Sequence, residues 1–219
     1  MELNIVIPTL NAAHQLPATL AVLAGAAECI IADADSTDGT PAIAKAWGCR
    51  VVNAPRGRGQ QLAAGIDAAT QPWLLLLHAD TRLDPGWRAE AEIHMRDHPG
   101  QAAYFRFALD SADPRARRLE RLVAWRCRLL ALPYGDQGLL LHRDTLRQAG
   151  GIHPIPLMED VDLIRRLGRS RLRALNTRAV TSAAKWERDG WYARSLRNLF
   201  CLALWFLGVP PGRILRLYR

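Results

Sequence analysis

The chain has 219 residues, 49% of them hydrophobic and 23% charged, enough apolar material to bury a core and too much for a disordered chain. Twenty-nine Lys and Arg against 21 Asp and Glu give a net charge of +8, which favours phosphorylated ligands or anionic surfaces. Cys29, Cys49, Cys127 and Cys201 are scattered with no C-x-x-C pair, so neither a zinc site nor a disulfide framework is supported; no run reaches the ~20 apolar residues of a membrane span, and Met1 leads straight into a strand-like run rather than a signal peptide.

Leu3 to Pro8 reads as a short strand, followed by Thr9 and Asn11 and by helical apolar spacing from His14 to Ala24. Glu28 to Asp33 is a second strand. It runs into the polar turn Asp33 to Pro41, where Thr40 and Pro41 look like the N-cap and first residue of a helix to Trp47. Arg50 to Asn53 is a third strand, and Arg56-Gly57-Arg58-Gly59 a flexible basic loop before a helix from about Gln60 to Ala69. Trp73 to Leu77 is the most apolar strand, the kind that lies buried on both faces in the middle of a parallel sheet. It ends in His78-Ala79-Asp80. Ligands of open α/β sheets bind outside the carboxyl ends of the strands, so this imidazole and carboxylate suit a divalent cation or a nucleotide; a turn capped by Asp80 is the plainer alternative.

Asp84-Pro85 starts a helix to about Asp97. Ala102 to Leu109 alternates like an edge strand, Pro114 to Leu132 is a long basic-apolar helix, and Leu139 to His142 is a short strand after the Gly135-Asp136-Gln137 run. Glu159-Asp160-Val161-Asp162 opens a helix to about Leu167, in which Asp162 is placed to pair with Arg165 or Arg166. Arg178 to Ser182 is a last strand and Asp189 to Leu207 a last helix. Strand–helix alternation predicts an α/β fold with a mainly parallel sheet, and the lack of a linker predicts a single domain. Within it, residues 1–100 form one half and 101–188 another, and 189–219 would form amphipathic helices.

Asp33, Asp35 and Asp38, then Asp80, then Glu159, Asp160 and Asp162 are acidic groups at strand ends and a helix start. Gathered in one crevice of a basic protein, they need a cation to be tolerable, and Mg²⁺ or Mn²⁺ bridging a carboxylate to phosphate oxygens meets that need. Arg56 and Arg58 could meet the same phosphates.

The ordered set Val6-Ile7-Pro8-Thr9-Leu10-Asn11, Ile31-Ala32-Asp33, Ser36 to Thr40, Leu77-His78-Ala79-Asp80-Thr81 and Glu159-Asp160 resembles the signature of a family 2 glycosyltransferase of GT-A fold. It resembles most the short bacterial subgroup found beside radical-SAM and selenodomain proteins. That subgroup also shows Gly135-Asp136-Gln137, Pro156 to Asp160, Trp186-Glu187-Arg188 and a terminal Leu217-Tyr218-Arg219. The resemblance implies a nucleotide-diphospho-sugar donor, with residues 1–100 as the nucleotide-sugar-binding half and 101–188 as the acceptor and catalytic half, and with Pro8, Thr9, Asn11, Asp33, Asp35, Arg56, Arg58, His78, Ala79, Asp80, Asp136 and Gln137 around the donor. It implies that Asp80 holds the metal and that Asp160, beside Glu159, is the general base of an inverting transfer. Two positions depart from the family pattern. Its Asp-Asp pair is here Asp33-Ala34, with Asp35 one place on, and the first Asp of its D-x-D is His78, which suits Mn²⁺ better than Mg²⁺ or contacts ribose instead.

The rivals are a nucleotidyltransferase, which commonly has a glycine-rich basic loop where Thr9-Leu10-Asn11 stand, and a non-catalytic basic module binding membrane or nucleic acid. Nucleic acid is not expected as a partner. The acceptor is unknown, a lipid-linked one being an option. Residues 194–219, with their leucines and arginines, suit core packing, a membrane surface or a dimer contact. The expected station is the cytoplasm, or the inner face of its membrane.

Overall fold

The computed structural model describes residues 1–218; the expectation for Arg219 lies outside them. The chain alternates as β1 (Leu3–Thr9), α1 (Leu16–Leu23), β2 (Glu28–Asp33), α2 (Thr40–Ala46), β3 (Arg50–Asn53), α3 (Arg58–Ala68) and β4 (Trp73–Leu76). Then come β5 (Thr81–Leu83), α4 (Trp87–Asp97), β6 (Ala102–Leu109), α5 (Pro114–Leu130), β7 (Leu139–His142), α6 (Arg143–Gln148) and α7 (Glu159–Leu167). β8 (Leu172–Thr181), α8 (Ala184–Asp189), α9 (Trp191–Phe206) and α10 (Pro211–Tyr218) complete it.

One sheet orders the strands β3-β2-β1-β4-β7-β6-β8-β5. β1 pairs in parallel with both β2 and β4, so the chain reverses its direction of growth there, at the switch point where α/β sheets open a crevice. The other half is mixed: β7 runs antiparallel to β4 and β6, and β8 parallel to β6. β4 and β5 are consecutive in sequence yet β5 closes the far edge against β8. The link between them, Leu77 to Asp80, therefore crosses the strand ends.

Burial on both faces explains the leucine run. Ile5, Ile7, Leu75 and Leu77 pack on one side against α1 and α4 through Leu16, Leu20, Trp87 and Ala91. Val6, Leu74 and Leu76 pack on the other against α3 and α7 through Leu62, Ile66, Val161 and Ile164. Successive side chains of a strand point to opposite faces, so a strand covered twice has no polar register.

Several expectations are corrected. β6 is not an edge strand; β7 and β8 flank it. Its polar alternation comes from Tyr104 and Arg106, at a register shift against β8. β8 begins six residues before Arg178. The expected last helix, Asp189 to Leu207, is α9; Gly190 (φ +86°) separates it from a short α8 that the sequence did not announce, and Gly208 (φ +82°), before Pro210, separates it from α10. Thr40 opens α2 after Gly39 rather than capping it, and the Asp38 carboxylate accepts both the Thr40 N–H and its hydroxyl.

The basic loop is also corrected. Arg58 belongs to the first turn of α3, and Gly59 N–H donates to the Ile155 carbonyl at 3.1 Å. The 153–155 backbone crosses the helix start so closely that a Cβ on Gly59 would lie 2.5 Å from Ile155 O and 2.7 Å from Ile155 N. Backbone atoms cannot rotate aside. Gly59→Ala should therefore destabilise the fold by about 1–3 kcal/mol, seen as a lower thermal midpoint. Gly100→Ala, where a Cβ meets nothing within 4 Å, should leave the midpoint unchanged.

Candidate active site

The carboxyl ends of β1 and β4 open on a cavity of about 550 Å³. Pro8, Thr9 and Asn11 line it after β1, Arg56 and Arg58 at the start of α3, and His78, Ala79 and Asp80 on the β4–β5 link. Asp33 supports the wall: its carboxylate accepts the Thr9 hydroxyl at 2.7 Å, the Ser36 N–H at 2.9 Å and the Ser36 hydroxyl at 2.6 Å. Asn11, at φ +51°, locks onto the same turn through Thr37 N–H and Ser36 Oγ. Asp35 is exposed and is not among the residues lining the cavity.

A second cavity of about 90 Å³ adjoins the first and shares Arg58, His78, Asp80, Leu157, Lys185 and Tyr218 with it. Asp136, Asp160 and Tyr134 form one wall; Trp186 of α8, Arg194, Asn198 and Leu202 of α9, and Tyr218 of α10 form the other. Asp80 and Asp160 thus face one space. Asp160 is oriented by the backbone: Gly135 N–H donates to Oδ2 at 2.7 Å and Val161 N–H to Oδ1 at 2.8 Å. Glycine at 135 lets this backbone approach both groups: a Cβ there would lie 2.6 Å from His78 Nε2 and 3.3 Å from Asp160 Oδ2 and would push the imidazole aside.

Gln137 turns the other way. Its Nε2 donates to the Phe105 carbonyl at 3.0 Å and its Oε1 accepts the Tyr134 N–H, so it braces the loop from inside the core. Asp162 pairs with Arg166 four residues on, at 2.7 Å, and with His153.

Lys185, Tyr134, Tyr218, Arg194 and Gln61 went unremarked as site residues in the sequence. Lys185 Nζ lies 3.3 Å from Asp80 Oδ2. Its one sequence signal is its place beside the Trp186-Glu187-Arg188 run. Gln61 lines the larger cavity and ties two strand ends by donating to Thr9 O and Ala32 O.

Crowded, buried carboxyls set the electrostatics. Burial, reinforced by the Asp160 charge and opposed by Arg58, pushes Glu159 up to about 8. Its side chain is 1% exposed and neither oxygen has a hydrogen-bond partner. Asp136 is raised to about 6, by burial first and then by Asp160 and Asp80 against the pull of Arg126. Asp80 is lowered: burial works against its charge, but Lys185 and His78 outweigh it. His78 falls to about 4, chiefly through burial and then Arg58. Arg58 is raised, because the fields of Glu159, Tyr218, Asp160 and Asp80 overcome its desolvation.

Among the described residues no three His, Cys, Asp or Glu side chains gather as a closed metal cage. Asp80 offers one carboxylate, and neutral His78 beside it a nitrogen lone pair. That donor set fits a cation taking its other ligands from phosphate and water, as Mg²⁺ and Mn²⁺ do at nucleotide sites.

A model of the family described as glycosyl transferase family 2 matches residues 4–151. The chain belongs to that family. It is 38% identical over 84 residues to glycosyltransferases from Mycobacterium bovis and Mycobacterium tuberculosis whose own roles are uncharacterised. The match spans 38% of this chain and 38% of the length of each relative. The fold is that of GT-A enzymes. S. aureus TarS 1–349 superposes over all of this chain and 69% of its own with a TM-score of 0.66 at 12% identity. Glucosyl-3-phosphoglycerate synthase from Mycobacterium tuberculosis, in complex with Mn²⁺, UDP and glucosyl-3-phosphoglycerate, superposes over 95% of this chain and 80% of its own, with a TM-score of 0.61 at 18% identity.

The native state keeps the Glu159 proton to about pH 8, whereas an unfolded glutamate releases it near 4.5. The native fold therefore binds more protons between those limits, and its stability falls as pH rises through them. Asp136 contributes only below about pH 6. Between pH 6 and 8 the wild type should lose about 1 kcal/mol per pH unit relative to Glu159→Gln, measured by urea unfolding at each pH.

Proposed function

We propose that this chain transfers a sugar, with inversion, from a nucleotide-diphospho-sugar to an acceptor hydroxyl, with Mg²⁺ or Mn²⁺ held at Asp80 and His78. One observation carries the reading: Asp80 and Asp160 line a single small cavity that opens on the larger cleft at the β1–β4 switch point. A donor in the larger cleft has its nucleoside beside Pro8, Thr9 and Asn11. Its diphosphate is directed towards Arg58, Lys185 and Asp80, with Arg56 at the rim. The acceptor occupies the smaller cavity.

A sugar hydroxyl is a poor nucleophile at neutral pH. Asp160 takes its proton as the new C–O bond forms, a role generally worth about 10²–10⁴ in rate. Both its oxygens are fixed by N–H donors, so the carboxylate is aimed before the acceptor arrives. Glu159, kept neutral, adds no second charge next to that base. The leaving diphosphate gains negative charge, which the Arg58 guanidinium and Lys185 ammonium stabilise. A divalent cation, when bound, supplies Lewis-acid stabilisation of the same charge. A single base attacking from the face opposite the leaving group inverts the anomeric carbon.

Titration calorimetry with UDP-, GDP- and dTDP-sugars, with and without Mn²⁺, should find one donor class whose binding strengthens with the cation. Asp80→Asn should remove that strengthening. Asp160→Asn should cut transfer by about 10²–10⁴ while donor affinity stays near wild type. Near wild-type transfer by Asp160→Asn would show that the base lies elsewhere.

A further inference from the structure

α9 keeps a large apolar stripe in water. Its inner side is mixed: Arg194 is buried and Asn198 lies in the cavity wall, beside buried Trp191 and Cys201. Its apolar side points to solvent. Tyr192, Leu196, Leu199, Phe200, Phe206 and Leu207 are each 47–80% exposed and recur at the i, i+4, i+7, i+8, i+14 and i+15 spacing of one continuous stripe. α5 repeats the pattern: Leu122, Trp125, Leu129 and Leu130 are 49–64% exposed on one face.

The two helices belong to one side of the molecule, because they share neighbours at both ends. Arg115 near the start of α5 lies 5.7 Å over the Trp191 ring that begins α9. At the other end, Arg169 donates to carbonyls of the last turn of α5, and Arg165, on the same segment, lies over Trp205 and Phe206 of α9.

We propose that this two-helix face docks on an anionic lipid surface. Charge selects that occupant. Arg118, Arg121 and Arg128 are exposed along the α5 stripe, and Arg213 and Arg216 on α10 beside α9. α9 and α10 contain no Asp or Glu, and the one acid of α5, Glu120, is tied to Arg117 and to Leu109 N–H. Arginines bordering exposed aromatic and leucine side chains, with no acids among them, fit a headgroup layer above an acyl layer. No helix of the described residues is long and apolar enough to cross a membrane. With 16 residues, about 24 Å long, α9 would lie in the plane of the interface. Its inner side would then keep lining the smaller cavity, whose acceptor would be drawn from the membrane surface. This last clause rests on the sugar-transfer reading; the docking itself does not.

Co-sedimentation of the intact chain with vesicles of phosphatidylglycerol and of phosphatidylcholine, without donor, tests it. Binding should be at least about tenfold stronger to phosphatidylglycerol and should weaken as salt is raised. Leu196→Glu with Phe200→Glu, and separately Trp125→Glu, should each lower it by about tenfold or more while circular dichroism stays native. Vesicles should also blue-shift the tryptophan fluorescence, less so in Trp125→Phe, a reading that does not depend on the glutamate variants folding. Lack of binding to phosphatidylglycerol, equal binding to phosphatidylcholine, or wild-type binding by folded glutamate variants would overturn the proposal. So would a dimer in sedimentation equilibrium that Leu196→Glu converts to monomer, since the face would then belong to a second copy.

Discussion

Arg58 is the interaction on which the site depends. Asp80, Asp136, Glu159 and Asp160 stand close together in a poorly solvated cleft, and carboxylates in such a place cannot all remain charged. Two responses are visible. Glu159 and Asp136 move towards their neutral forms, to about 8 and about 6. Arg58 and Lys185 supply positive charge, and Arg58 feels Glu159, Asp160 and Asp80 together. The guanidinium reaches that position because α3 starts between two glycines. Gly57, at φ +142°, admits a backbone turn that other residues rarely adopt, and Gly59 lets the 153–155 segment cross in contact. A basic residue is thus placed by backbone geometry in the midst of acids that come from three distant parts of the chain.

The same placement gives the two cavities different electrostatic characters. Arg58, His78, Asp80 and Lys185 border both, at the seam where a reacting bond would sit. Away from the seam, the larger cavity is bounded by strand-end backbone, Thr9, Asn11 and Gln61. The smaller one is bounded by aromatic rings and Arg194, whose guanidinium lies 4.7 Å over the Tyr218 ring. Rigid strand ends suit a ligand part that is constant, and helices added late in the chain suit a part that varies.

Much of the first half was legible in the sequence because its signals are local. A strand covered on both faces must be apolar throughout, as Trp73 to Leu77 is, and the polar residues that end it must lie at the sheet's edge. The residues that followed strands, Thr9, Asp33 and Asp80, were therefore readable as cleft residues or their supports. What escaped depends on long-range pairing. β5 has three residues and finds its partner about a hundred positions away in β8, so nothing local marks it. The interior position of β6 was hidden for the same reason. Gln137 shows the limit of motif reading: its neighbour Asp136 reaches the cavity wall, but it turns its amide to Phe105 O and into the core. Arg58 was read as mobile because glycines flank it, although those glycines are what fix it.

The polar groups on the inner side of α9 follow from the same demand that organises the cleft. A roof over charged groups must offer polar atoms, and Arg194 and Asn198, four residues apart on one stripe of the helix, do so. Because Arg194 and Asn198 take inward places beside Trp191 and Cys201, other large apolar residues of the helix are left on its outer side. Fully burying a leucine or phenylalanine side chain is worth about 1.5–3 kcal/mol, so six large residues facing water forgo a sum comparable to the net stability of a domain. A chain of this size had another solution available: an apolar inner stripe against the core and arginines outside, the arrangement that α7 adopts with Val161 and Ile164 inward and Arg165 outward. The choice of the costlier arrangement in α9 ties the lining of the cleft to the character of the outer surface.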